Sequence, residues 1–232
     1  MAKRQDPEHS VLACHQPAYG VHDGAKVLFC NSELAKMFGE SGPASIVGRD
    51  AISFIAPAVL DESLTAIALN RGEPYRSVGI KADGLTFPIE ISAHPVRYRH
   101  TVARLFMVRD LSPIAVVVDD EPPVARLTGA LMRRSGYQTV VCSSPVQALT
   151  AFRPDAVSVL ISDITMPEMD GIEFVGKIRE MDAGLPVILV SGFSDADPPE
   201  NELTRFLPKP FTTAQLVHTL ESLPERARAS LA

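Results

Sequence analysis

The stretch Ile114-Ala115-Val116-Val117-Val118-Asp119-Asp120-Glu121 decides the fold of the second half of this chain. Five apolar residues, four of them β-branched, give way at once to three carboxylates. A continuous β-branched run without polar alternation is what a strand buried on both faces of a parallel sheet requires. Outward from it the pattern alternates. Residues 122–135 carry Val124, Leu127, Leu131 and Met132 at helical spacing, with Gly136 as a stop. A second strand is predicted over 137–142, a helix over 145–152, a third strand over 157–162 and a helix over 171–181. A fourth strand follows over 186–190, a short fifth over 205–207 and a final helix over 212–223. Strands alternating with helices at this spacing imply right-handed crossovers and an open, doubly wound parallel five-stranded α/β sheet.

Towards the amino terminus the pattern changes. Strands at 18–21 and 26–30 flank a His22-Asp23-Gly24 turn, and Asn31 is a good N-cap for a short helix over 32–38. A Gly/Ser/Pro-rich stretch over 39–48 precedes a helix over 57–70. Antiparallel strands follow at 75–81, 85–98 and 102–110, the first two joined by a Lys81-Ala82-Asp83-Gly84 turn. Ile89, Ile91 and Ala93 alternate with polar neighbours, as in a half-solvated sheet. This half is therefore α+β, an antiparallel sheet with helices on one face.

Chemistry in a parallel α/β sheet gathers where the carboxyl ends of the strands open into loops. Those ends carry Asp119-Asp120-Glu121, Asp163 and Ser191, with Lys209 after the fifth strand. Several carboxylates in one pocket stay ionised only if a cation neutralises them, and oxygen donors with room for water suit Mg²⁺. A lysine and a hydroxyl facing such a metal can hold phosphoryl oxygens, and an aspartate between them can accept the phosphoryl group.

Four ordered segments carry a specific resemblance: Val118-Asp119-Asp120-Glu121, Ser162 through Gly171, Val190-Ser191-Gly192 and Leu207-Pro208-Lys209-Pro210-Phe211. Together they resemble the flavodoxin-like receiver domain of two-component response regulators, over residues 113–224. The resemblance implies that Asp163 is the phosphoacceptor for a phosphohistidine. It also implies that Asp120, Asp163 and the Thr165 carbonyl ligate Mg²⁺, with Asp119 acting partly through water. Ser191 and Lys209 would bind phosphoryl oxygens, Ser191 would couple to Phe206 as the switch aromatic, and the bond before Pro210 would be cis. Only 18 positions separate Ser191 from Lys209, and Pro198-Pro199 lies among them. The crossing helix there is expected to be truncated or irregular, which argues against dimerisation through that face.

The first half resembles a PAS domain over residues 11–112. The resemblance rests on Asp23-Gly24, Asn31, Val47-Gly48-Arg49-Asp50 and Val108-Arg109-Asp110-Leu111-Ser112. It implies a sensing or dimerisation module with a pocket between sheet and helices. Ala51 follows Gly48-Arg49-Asp50 where flavin-photoreceptor members soon place a reactive cysteine, and residues 57–70 contain no histidine for haem. Both cofactors are disfavoured, which leaves an apolar ligand or an empty pocket. His94 and His100 could face each other across the last hairpin, but two histidines make no metal site. Cys14 and Cys30 read as small buried side chains.

Composition closes off other classes. The 232 residues are 46% hydrophobic and 22% charged, with a net charge of −6. Residues 1–112 balance 12 basic against 12 acidic side chains, so the whole excess lies in the second half. That field repels nucleic acid and anionic membranes. No apolar run approaches the roughly 20 residues that span a bilayer. Three cysteines without CxxC spacing and an amino terminus without a signal core fit a cytoplasmic protein. Arg226 and Arg228 read as a solvated helix end.

The expected order is a tail over 1–10, the PAS-like domain over 11–112, the receiver over 113–224 and a tail over 225–232. No kinase motif lies between the two domains and about eight residues follow the receiver, so a switch without its own kinase or output domain is expected. It would take phosphate from a histidine kinase or a histidine phosphotransfer protein, signal by protein–protein contact, form a homodimer through its PAS-like half and not be an enzyme in its own right. Two alternatives stay open. One is a phosphate sink, or a kinase-less remnant of a hybrid sensor kinase. The other is a Mg²⁺-dependent phosphatase, although Asp163-Ile164-Thr165 lacks the second carboxylate of an Asp-x-Asp pair.

Overall fold

The computed structural model describes residues 17–69, 73–192 and 201–227. Cys14, Arg228, the tail over 1–10 and the Pro198-Pro199 crossing lie outside the described residues. The chain forms two compact units that part between Ser112 and Pro113. Among the described residues no helix is long and apolar enough to cross a membrane.

The first unit is PAS-like. It contains β1 (Ala18–His22), β2 (Val27–Cys30), α1 (Ser32–Met37), α2 (Leu60–Leu69), β3 (Tyr75–Ile80), β4 (Thr86–Tyr98) and β5 (Thr101–Asp110). Its antiparallel sheet runs in the order β2-β1-β5-β4-β3. Asn31 caps α1 as expected, its side chain accepting from the Leu34 N–H at 3.0 Å. Leu34, Ala35 and Phe38 of that helical segment, with Ile46, Phe54 and Ile55, pack on Ile89, Ile91 and Val108 of the sheet. The helix expected over 57–70 begins instead as a separate 3₁₀ turn, Pro57–Val59, before α2. Pro57 can occupy a first helical position but cannot donate into a preceding turn.

The last hairpin corrects one expectation. Tyr98 pairs with Thr101, so Arg99 and His100 alone make the turn, and both adopt positive φ (46° and 70°). That is the type I′ geometry whose twist matches paired strands. His94 pairs with Leu105, on the fifth rung from the turn, so His94 and His100 do not face each other.

The second unit contains β6 (Ile114–Val118), α3 (Pro122–Arg134), β7 (Gln138–Cys142), α4 (Pro145–Ala151), β8 (Val159–Asp163), α5 (Gly171–Met181), β9 (Val187–Ser191), β10 (Thr204–Pro208) and α6 (Thr213–Glu221). Every rung is parallel, in the order β10-β9-β8-β6-β7. One face of the sheet packs Val116, Val118, Leu160 and Leu189 against Phe174, Val175 and Ile178 of α5 and Ala148 of α4. The other packs Ala115, Val117, Ile161 and Ile188 against Met132 of α3 and Leu216 and Leu220 of α6. Burial of each such aliphatic side chain stabilises by about 1.5–3 kcal/mol.

Only part of the apolar stripe assigned to α3 docks: Met132 is buried and Leu131 packs against the core, while Val124 is half-buried. Ala125, Thr128, Gly129 and Met132 are buried, whereas Leu127 is 63% exposed. Close approach selects small residues: a Cβ on Gly129 would lie 2.7 Å from Val141 Cγ2. Arg226 also departs from expectation. It lies in a 3₁₀ turn, Glu225–Ala227, and its guanidinium donates to both carboxylate oxygens of Asp182 (2.9 and 2.5 Å) and to the Val157 carbonyl (2.8 Å). The Tyr137 hydroxyl donates to the Ala227 carbonyl. The fold is therefore fastened through residue 227.

Candidate functional site

The strand order reverses between β6 and β8, and the loops leaving those two strands meet there, the position at which open α/β sheets place their chemistry. Asp119 follows β6 and Asp163 ends β8, both almost wholly buried, with Asp120 half-buried between them and solvent. One carboxylate oxygen from each of Asp119, Asp120 and Asp163 lies within 4.8 Å of the others. Among the described residues this is the one such gathering of three or more acidic, histidine or cysteine side chains.

Lys209 reaches the same point from the loop after β10. Its ammonium lies 2.7 Å from Asp119 Oδ2 and 3.1 Å from Asp163 Oδ2. Burial alone would lower its pKa, but hydrogen bonds and charge from the two aspartates outweigh burial and hold it above the ordinary lysine value. The backbone here is tied to β9, the Lys209 N–H donating to the Ser191 carbonyl at 2.7 Å; the Lys209–Pro210 bond is cis, as expected. Asp119 is fixed in turn because its Oδ1 accepts from the Glu121 N–H at 2.9 Å.

Ser191 ends β9 in register with Pro208 and is buried. Thr165 sits two residues beyond Asp163 with an exposed side chain. Phe206 is half-buried on β10 beside Leu189 and packs against the α4–α5 side of the core. The structure thus brings Asp119, Asp120, Asp163 and Lys209 into one cluster, and ties Ser191 to Lys209 through the backbone. Three carboxylates against one ammonium leave a surplus of negative charge on an all-oxygen donor set, which fits a hard divalent cation such as Mg²⁺.

One residue of this site carries a role that motif reading did not assign. Gly171, at the start of α5, donates its N–H to the Ile164 carbonyl at 2.8 Å and lies directly against the Asp163 backbone. Its signal was present, since Asp170 is an N-cap and a glycine immediately after one is not explained by capping.

Residues 115–221 match the family model of the response regulator receiver domain. A sensor histidine kinase, RcsC of Salmonella typhi, is 33% identical over 121 residues, which are 50% of this chain and 13% of that protein. The response regulator receiver protein CpdR of Brucella abortus is 28% identical over 114 residues, covering 47% of this chain and 93% of the relative. A solved PAS domain from Colwellia psychrerythraea aligns with 40% of this chain and 85% of its own, at 18% identity and a TM-score of 0.35. The chain therefore spans a small fraction of the sensor histidine kinase, about a quarter to a half of the transcriptional regulators it also matches, and 93% of the receiver protein CpdR. Residues 115–221 are a receiver domain of two-component phosphorelay systems. The unit that precedes it is the PAS-like α+β fold already described.

Proposed function

We propose that this chain accepts a phosphoryl group on Asp163 from a phosphohistidine and signals by protein–protein contact. The observation that carries the reading is Lys209 bridging Asp119 and Asp163 at the switch point of the sheet. Transfer breaks the P–N bond of the donor and forms a P–O bond to an Asp163 carboxylate oxygen, leaving a neutral imidazole. Lys209 and Ser191 take the oxygens of the incoming group. Asp119, Asp120, Asp163 and the Thr165 carbonyl are the residues that would hold Mg²⁺, which when bound offsets charge on the carboxylates and the phosphoryl group. Phe206 would turn with Ser191 as the switch aromatic.

The donor would be a histidine kinase or a histidine phosphotransfer protein, and the setting the cytoplasm, which the free, buried thiols of Cys30 and Cys142 suit. The PAS-like unit would sense a small molecule or hold two copies together. The likeness to part of a sensor histidine kinase favours a second reading, a phosphate sink or kinase-less relative of hybrid kinases. Acetyl phosphate with Mg²⁺ is expected to add the mass of one phosphoryl group, and Asp163→Ala to abolish the gain. A wild-type rate in that variant would refute the assignment. Fast gain and loss of phosphate without altered partner affinity would select the sink.

A further inference from the structure

The first unit holds a cavity of about 150 Å³ between its sheet and its helices. Most of the wall is apolar, including Phe38, Phe54, Ile89 and Ile91. Arg104 is the one charged side chain among the described residues of that wall. On β5 it shares a sheet face with Phe106 and Val108, which line the same cavity. Its Nε–H is buried and, among the described residues, has no hydrogen-bond partner. Among the described residues, no carboxylate stands within ion-pair distance of its guanidinium. A buried donor on a permanent cation is expensive to leave unmatched, and each such group calls for an explanation.

Two further polar groups flank it. His22 is the cross-strand partner of Arg104, and Tyr75 opens β3; both line the cavity. His22 Nδ1 accepts from the Gly24 N–H at 3.0 Å, which leaves the proton of the neutral ring on Nε2. Burial and then the Arg104 charge hold His22 below its usual range against a weaker pull from Asp23, and burial pushes the Tyr75 phenol up against Arg104. Near neutral pH the cavity therefore presents one cation and two neutral hydrogen-bonding groups on an otherwise apolar wall.

We propose that this cavity binds a small organic monocarboxylate with a one-ring apolar body, its carboxylate held by Arg104 and flanked by His22 and Tyr75. One guanidinium matches one carboxylate in charge and in fork geometry. A cavity of this volume takes a body about the size of benzene. A free phosphate would leave the phenylalanine and isoleucine wall unused. Ile52 and Leu64 line the cavity and remain exposed, so it opens on the helical side of the unit. The inference stands on the cavity alone and not on the chemistry assigned to Asp163.

Calorimetric titration of the full chain with benzoate and phenylacetate, each against its neutral amide, tests it. At least one acid is expected to bind about tenfold or more tightly than its amide, and Arg104→Gln to erase that preference while amide binding persists. The wild-type chain supplies a second readout that no variant can confound. Its Arg104 Nε–Hε resonance, followed by ¹⁵N NMR, is expected to move on titration with the preferred acid. Equal binding of acids and amides, a preference retained in Arg104→Gln, or a stationary Nε–Hε signal overturns the proposal. Asp163→Ala is expected to bind the acid as wild type does, so failure of the phosphoacceptor reading and failure of this one give different results.

Discussion

A Cβ atom on Gly171 would lie 2.1 Å from the carbonyl oxygen of Asp163 and 2.9 Å from the Ile164 Cα. Both neighbours are backbone, so no side-chain rotation relieves the contact. The first residue of α5 is thus part of the mould that sets Asp163. Gly171→Ala is expected to destabilise the second unit by about 1–3 kcal/mol through overpacking. Phosphoryl uptake from acetyl phosphate should fall even under conditions where the variant is fully folded. Urea unfolding followed by circular dichroism, with uptake measured by mass spectrometry, checks both.

The surplus of negative charge at Asp119, Asp120 and Asp163 sets a sign that metal removal reads directly. In EDTA, Asp120→Asn is expected to raise the melting temperature, because it removes one of three mutually repelling carboxylates. With Mg²⁺ at ten times its Kd the wild-type chain gains about 1.4 kcal/mol, and the variant gains much less. The two melting curves should therefore exchange order between EDTA and saturating Mg²⁺. An order independent of Mg²⁺ would separate Asp120 from the metal.

Asp182 and Arg226 give the second unit an acid-sensitive fastening. The Arg226 hydrogen bonds hold the Asp182 carboxyl below its usual pKa, helped by the Asp155 N–H and opposed by burial. A carboxylate lowered by folding contributes stability above its unfolded pKa of about 3.9, and that contribution is lost as pH falls through the lowered folded value. Asp182→Asn is expected to flatten the fall in stability below about pH 4. Arg226→Met leaves a buried carboxylate without its partner and should lower stability at pH 7 by about 3 kcal/mol. Denaturant midpoints at pH 3 and pH 7 test both.

The Arg99-His100 turn carries two side-chain-bearing residues at positive φ. Replacing the pair by Asn-Gly, the residues that tolerate a type I′ turn most readily, is expected to stabilise the first unit by about 1 kcal/mol without changing its denaturant m-value. No gain in the denaturant midpoint would contradict the geometry.

Strand ends were the most legible feature of this chain. The run Ile114–Val118 has to be a doubly buried strand, and Asp119, Asp163 and Ser191 follow apolar runs in a way that places them at one edge of the sheet. What hydrophobicity could not reveal was fit. On α3 it pointed to Met132, which is buried, but also to Leu127, which is not, whereas the sheet further receives Ala125, Thr128 and Gly129, the last because the close approach of Val141 leaves no room for a side chain. The role of Gly171 is equally steric. Arg104 was legible in principle, since period-two alternation puts it beside Phe106 and Val108, but alternation gives the face of a strand and not the cavity that face lines. Arg226 was unreadable without its partner, because a basic residue near a helix end usually is solvated.

The contacts of Arg226 and Ala227 span 44, 69 and 90 positions of sequence. They reach back to Asp182, Val157 and Tyr137, all of which leave the ribosome well before them. The first four strands of the parallel sheet and Asp182 can therefore emerge during synthesis ahead of the matching guanidinium. For that interval the nascent receiver carries the Asp182 carboxylate without the guanidinium that covers and pairs it. It is expected to hold its fold loosely there, exposed to chaperones and proteases, until residue 226 emerges and docks. A fragment cut at residue 221, where the family match ends, would remain in that nascent condition permanently.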